Sequence, residues 1–182
     1  MKYVFLIAIL CSVGIVNAQD RYFTKSGKIT FYSKASLEDI EANHRSVSCV
    51  LDTKNGAVQF AVLMKGFEFK KALMQEHFNE NYVESDKFPN GSFKGEISNN
   101  SSINYQKDGV YPAQVKGKLT IHGETKDVTT EGKVEVKGGK IQLISDFNIA
   151  LADYKISVPA VVKDKVAQTI KITVDCLLEP LK

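Results

Sequence analysis

Residues 67–93, FEFKKALMQEHFNENYVESDKFPNGSF, form the one stretch of this chain that is not patterned like a strand. Leu73, Met74, His77, Phe78 and Asn81 recur at helical spacing, and the pattern stops at Pro89. On both sides the chain alternates apolar and polar residues or turns sharply at Gly and Asn. Such a contrast predicts a barrel of strands with one helix-containing segment closing or lining a mouth. Function then has to be sought on the inner faces of the strands.

Working outward, Lys28–Ser33 alternates, with Ile29 and Phe31 on one side and Lys28, Thr30 and Tyr32 on the other. Ser36 to Asp39 reads either as a capped helical turn or as a polar connector. Val47, Cys49 and Leu51 mark the next inward face, and Asn55-Gly56 suits a tight hairpin to Val58, Phe60, Val62 and Met64. Beyond the helical stretch come Phe93, Gly95 and Ile97, then a polar loop from Asn99 to Gly109. A strand from Val115 to Ile121 turns at Gly123-Glu-Thr125 into one carrying Val128, Thr130, Val134 and Val136. Gly138-Gly139 turns into Ile141, Leu143 and Phe147. A loop fixed by Pro159 leads to Ile170, Ile172, Val174 and Cys176. About eight strands, short turns and one helical insertion make an all-β barrel or sandwich.

The first 18 residues read as a secretory signal peptide: Lys2, the apolar run Val4 to Leu10, and Val16-Asn17-Ala18 before the cut. The mature chain from Gln19, one domain over 19–182, is expected to be soluble and exported, periplasmic or secreted, without a transmembrane segment. A net charge of +3, or +2 without Lys2, with no basic patch interleaved with aromatics, gives no reason to expect nucleic acid. Cys49 and Cys176 fit either a disulfide or two inward-facing thiols.

The informative question is whether the interior is filled. With strict parity, Gly95 lies between Phe93 and Ile97, and Gly117 between Val115 and Leu119. Thr130 and Gly132 lie between Val128 and Val134, and Ser145 between Leu143 and Phe147. These small residues either let the sheet bend or leave the centre of the barrel under-filled, so that one ligand fits. The cavity reading is preferred because four neighbouring strands share the pattern. Its walls would be Phe, Val, Ile and Leu, favouring a long apolar ligand with any polar end near a mouth.

Catalytic signals are weak. Glu76 and Glu80 share one helix side while His77 faces away with Leu73 and Met74, and three histidines in all (His44, His77, His122) do not point to a metal site. His77 fits a hydrogen bond at the cavity rim or a local backbone carbonyl. There is no Gly-x-Ser-x-Gly elbow and no phosphate-binding glycine loop. The alternative to a binder is an enzyme acting on a small apolar substrate with His77 and a nearby carboxylate. A third reading is an interaction module with a solid core.

Leu73–Tyr82, Glu84-Ser85, Phe88-Pro89 and Phe93-Lys-Gly95, together with Ile29–Ser33 and Ala35, Gly117–Gly123 and Asp153–Pro159, resemble the YceI-like family of exported bacterial proteins. The resemblance implies an extended, eight-stranded antiparallel lipocalin-like barrel holding a polyisoprenoid, isoprenoid quinone or similar amphiphilic lipid. It implies no catalytic set and no cofactor beyond such a lipid, and allows a homodimer. Thr24-Lys-Ser-Gly27 departs from the Asp-x-x-His-Ser segment with which many members open. Parity and resemblance together nominate Phe31, Phe60, Val62, Phe93, Gly95, Gly117, Leu119, Thr130, Phe147 and Ile172 as cavity lining. Leu73, Met74, His77 and Phe78 are nominated over a mouth.

Overall fold

The computed structural model describes residues 20–181, so the expected leader and its cleavage point lie outside the described residues. The strands are β1 (Arg21–Lys34), β2 (Asp39–Asp52), β3 (Ala57–Leu63), β4 (Glu68–Phe69), β5 (Asn90–Ile97), β6 (Gly109–Ile121), β7 (Glu124–Lys137), β8 (Lys140–Ala150) and β9 (Thr169–Pro180). Antiparallel pairing runs β1-β9-β8-β7-β6-β5-β3-β2 and returns to β1, closing an eight-stranded barrel. The two-residue β4 is an appendage on Ala42 and Asn43 of β2.

Period-two reading found the strands but cut two of them short. In β1 the buried residues are Tyr22 and Thr24, then Gly27, Ile29 and Ser33, so parity changes between Thr24 and Gly27. In β2, Ala42 and His44 are buried on one parity and Val47, Cys49 and Leu51 on the other. The register of the β1–β2 pair shifts between Thr24 and Gly27 and between Gly27 and Ile29, as a bulge requires. Alternation that begins at Lys28 or Val47 is thus only the half of each strand beyond its bulge. Similarly, β6 starts at Gly109 rather than Val115. Its first part pairs with β7 alone, which leaves the edge where Pro112 needs no donor.

Ser36 to Asp39 is not a helical turn. Asp39 already opens β2 and accepts a hydrogen bond from the Tyr32 hydroxyl at 2.6 Å. The β6–β7 turn is His122-Gly123, with Glu124 and Thr125 already in strand, and both turn residues have positive φ (52° and 75°). Gly138-Gly139 repeats this geometry at 56° and 76°. Two-residue loops of this kind match the right-handed twist of the strands they join.

The two ends of the barrel differ. One carries the β2–β3 and β7–β8 turns and a short polar loop. The other carries the β1–β2 link, the β6–β7 turn and the two longest connections, residues 64–89 and 151–168. In residues 64–89 the helix is brief. α1 (Ala72–His77) gives way to a wider π turn over Phe78–Tyr82. It ends seven residues before Pro89, because Glu84 takes a left-handed φ of 44° and the chain doubles back. Pro89 instead receives the Met64 N–H at 2.9 Å, stitching the two ends of the insertion together.

Candidate functional site: a cavity under a lid

The barrel is solid in one half and hollow in the other. Val47, Cys49, Leu51, Val136, Ile141, Cys176 and Leu178 are buried at the tight-turn end, with Ile97 and Ile103. Above the level of Ala113, Val134 and Leu143 the interior opens into a cavity of about 320 Å³. Its walls are almost wholly hydrocarbon and aromatic, from Ile29 and Phe31 round to Ile170, Ile172 and Val174.

Of the nominated residues, Phe31, Phe60, Val62, Phe93, Leu119, Thr130, Phe147 and Ile172 line this cavity from the strands, and Met74, His77 and Phe78 from the lid. Three do not. Leu73 is 61 % exposed, since α1 turns Met74 and His77 inward and thereby turns Leu73 out. Gly95 and Gly117 face each other across β5 and β6, and the Phe93 ring lies over both. A Cβ on Gly95 would stand 2.7 Å from that ring, and one on Gly117 2.6 Å from it and 2.6 Å from the Gly95 Cα. The room these glycines leave is taken by Phe93 and by close approach of the strands, so they shape the wall without lining the space. The cavity spans this level, and its lining here comes from Val58, Ile97, Val115 and Val128 instead.

Sequence reasoning missed the aromatic seam that seats the lid. The Phe31 ring, on the barrel wall, lies 5.3 Å from Phe67, 5.5 Å from Phe69 and 5.3 Å from Phe78, the last stacked. Phe69 and Phe78 are 5.1 Å apart, and the buried His44 ring meets Phe67 edge-on. Contacts of this geometry add about 0.5–1.5 kcal/mol per pair beyond buried area. Phe67 and Phe69 flank Glu68 in strand-like alternation, and that was the available signal. His44 fills the gap between β2 and the insertion: Nε2 meets the Leu63 carbonyl at 3.0 Å and Nδ1 accepts from the Ser46 N–H.

The far end of the lid is held by polar contacts. His122 Nε2 contacts Glu84 Oε2 at 2.6 Å and His122 Nδ1 contacts the Tyr154 carbonyl at 3.0 Å. Both ring nitrogens thus face oxygen atoms. The hydrogen bond from His122 holds the Glu84 carboxyl below its ordinary range. Lys155 pairs with Glu124 beside it. This clasp lies outside the cavity. Among the described residues no ion pair joins His77 to a carboxylate, and no three His, Cys, Asp or Glu side chains gather as metal ligands. Cys49 and Cys176 are free, buried thiols whose pKa values burial pushes up, that of Cys176 to about 12.

Residues 15–177 match the model of the YceI-like domain. The chain belongs to the YceI-like family. Solved structures agree on the barrel. A polyisoprenoid-binding domain from Saccharophagus degradans, implicated in plant cell wall breakdown, superposes with a TM-score of 0.77 at 11 % identity, over 90 % of this chain and 100 % of its own. BcnA of Burkholderia cenocepacia gives 0.67 at 17 %, over 84 % and 95 %. The Campylobacter jejuni YCEI protein gives 0.57 at 16 %, over 75 % and 82 %. No curated protein matches the sequence significantly. At these identities the YceI-like structures speak for the fold alone. The half-hollow interior and the aromatic-seated lid are read from this chain's own residues.

Proposed function

We propose that the protein is a non-enzymatic binder of a polyisoprenoid or isoprenoid-quinone-like amphiphile, which it sequesters or carries inside the barrel. The observation that carries this reading is the apolar cavity beneath a lid built of Phe67, Phe69, Met74 and Phe78. A dry hydrocarbon-lined space gains free energy from a ligand that buries apolar area, at roughly 25 cal/mol per Å². It offers little to a charged or strongly hydrated one. The YceI-like membership and the polyisoprenoid-binding domain that shares the fold support the same class of ligand. The leader-like residues 1–18 support export to a periplasmic or external compartment.

The test is ligand recovery. Protein purified from its native host or a heterologous bacterium is examined by native mass spectrometry, then extracted with organic solvent and the extract analysed. A retained prenyl lipid in roughly stoichiometric amount is the expected result. Protein that carries none, and takes up none when offered prenyl alcohols or quinones, overturns the proposal.

A further inference from the structure

Backbone pairing between β7 and β8 stops at Gly132 and Ser145. Beyond that rung β7 runs on to Glu124 paired with β6 alone, and β8 runs on to Ala150 paired with β9 alone. The barrel wall is therefore forked over its hollow half. A comparable divergence of β2 from β3 is filled, because β4 pairs with Ala42 and Asn43 and His44 bonds the Leu63 carbonyl. The β7–β8 fork is bridged instead at its outer end, where the Tyr154 carbonyl meets His122 and Lys155 meets Glu124.

The cavity runs into this fork. Thr130 borders it from one prong and Phe147 from the other, and so do Lys133 and Ile144. Those two pair with each other on the rung just below the fork, on the outward parity, since their neighbours Val134 and Leu143 are buried inward. The space therefore reaches residues of both parities at the base of the fork and extends into the wall there.

At the base of the fork sit two hydroxyls. Ser145 Oγ donates to the Glu131 carbonyl at 2.8 Å, and Thr130 Oγ1 donates to the same carbonyl at 3.2 Å. They satisfy a peptide oxygen that β8 no longer reaches, and each keeps lone pairs to accept with. The two hydroxyls lie 3.4 Å apart across the gap, and above them the facing edges of β7 and β8 do not pair with each other, residues 151–154 packing against both prongs towards the outer end. The outer lip carries Glu131, Lys133 and Asp146, and Asp146 is already engaged by Thr173 and Lys171. No surplus of positive charge is gathered there.

We infer that the β7–β8 fork is a second, lateral opening of the cavity and the seat of its ligand's polar end, and that it takes an uncharged oxygen-bearing head group, a carbonyl or hydroxyl, in preference to a phosphate. The inference rests on the lipid-binding reading and adds to it where the head group sits and what it is. Phe31, Phe78 and the lid then cover the hydrocarbon end.

The test uses the purified protein with prenyl probes of equal length: an alcohol, a monophosphate, and an ester carrying a benzophenone head. Photo-cross-linking followed by peptide mapping is expected to label residues 129–133 or 144–148. Labelling of Met74, Tyr82 or Lys165 at the end mouth would overturn the fork while leaving lipid binding intact. Failure to retain any probe would overturn both. The alcohol is expected to bind more tightly than the phosphate, and the reverse order would refute the head-group class. Thr130→Val with Ser145→Ala should weaken the alcohol roughly two- to tenfold, the range of one neutral hydrogen bond. Squalene, which has no head group, should be unaffected, and equal weakening of both would refute a role for the hydroxyls.

Discussion

His122 Nε2 lies 2.6 Å from Glu84 Oε2, and both residues occupy left-handed backbone, at φ of 52° and 44°. Lys155, at 54°, completes the set of described non-glycine residues with positive φ, and its ammonium reaches Glu124 two residues along from His122. Conformations this uncommon persist where surrounding contacts over-determine them. Here they gather where the lid, the β6–β7 turn and residues 151–156 meet.

Acidification should loosen this junction. The Glu84 carboxyl in the folded protein is held below its ordinary value near 4.5, so its contribution to stability is complete above that value. The contribution is lost as the pH falls through the lowered one. Amide exchange across residues 72–88, corrected for intrinsic rate, should accelerate below about pH 4.5. Glu84→Gln should show raised exchange already at neutral pH and no further step. A full acid step in Glu84→Gln would refute the assignment.

Phe31 joins the wall to three rings of the lid, so Phe31→Ala should do more than leave a void. Since the side chain is only partly buried, the loss of stability should be about 2–4 kcal/mol, at or just below the range for core aromatics. Exchange in residues 67–82 should rise with it. Urea denaturation and exchange mass spectrometry measure the two effects, and a stable variant with an unprotected lid would show the seam acting on the lid alone.

Gly117→Ala should destabilise the barrel by roughly 1–3 kcal/mol, because its Cβ meets the Lys94 carbonyl and the Gly95 backbone at 2.6 Å. It is therefore a packing variant and a poor plug. Leu119→Trp reaches the cavity from the same strand and should reduce uptake of a prenyl alcohol while leaving the melting transition close to that of the unmodified protein. Titration calorimetry and thermal denaturation on the same samples separate the two behaviours.

Burial pushes the pKa values of Cys49 and Cys176 up, that of Cys176 to about 12, so thiolate is scarce at neutral pH. Both thiols should resist an aromatic disulfide reagent in the native state and react together once guanidinium unfolds the barrel. Fast reaction of either in native protein would contradict the packing described for the solid half.

The strands and their inward faces were legible because one face of each is buried and alternation records that directly. Bulges were not: a single sequence shows a break at Thr24-Lys25-Ser26 but cannot say whether the strand ends or continues in shifted phase. Phe31, Phe60, Val62, Phe93 and Ile172 were found by parity and line the cavity, whereas Leu73 was assigned by helical spacing alone. Over a six-residue helix that spacing does not choose between neighbouring positions. Gly95 and Gly117 mark a place where a side chain is missing, but the sequence does not say what enters the space, and Phe93 enters it. The Glu84–His122 contact joins residues far apart in sequence, with no periodicity to announce it. The fork likewise leaves no mark, since β7 and β8 keep alternating past the point where they part.

The division of the barrel into a packed base and an open chamber separates what keeps the chain folded from what it contains. Leu51, Ile141, Cys176 and Leu178 make their contacts whether the chamber is occupied or empty. Filling or emptying the chamber therefore leaves the contacts of the packed base in place. Chamber-lining positions can also change in size and polarity, while the foundation they stand on remains the same.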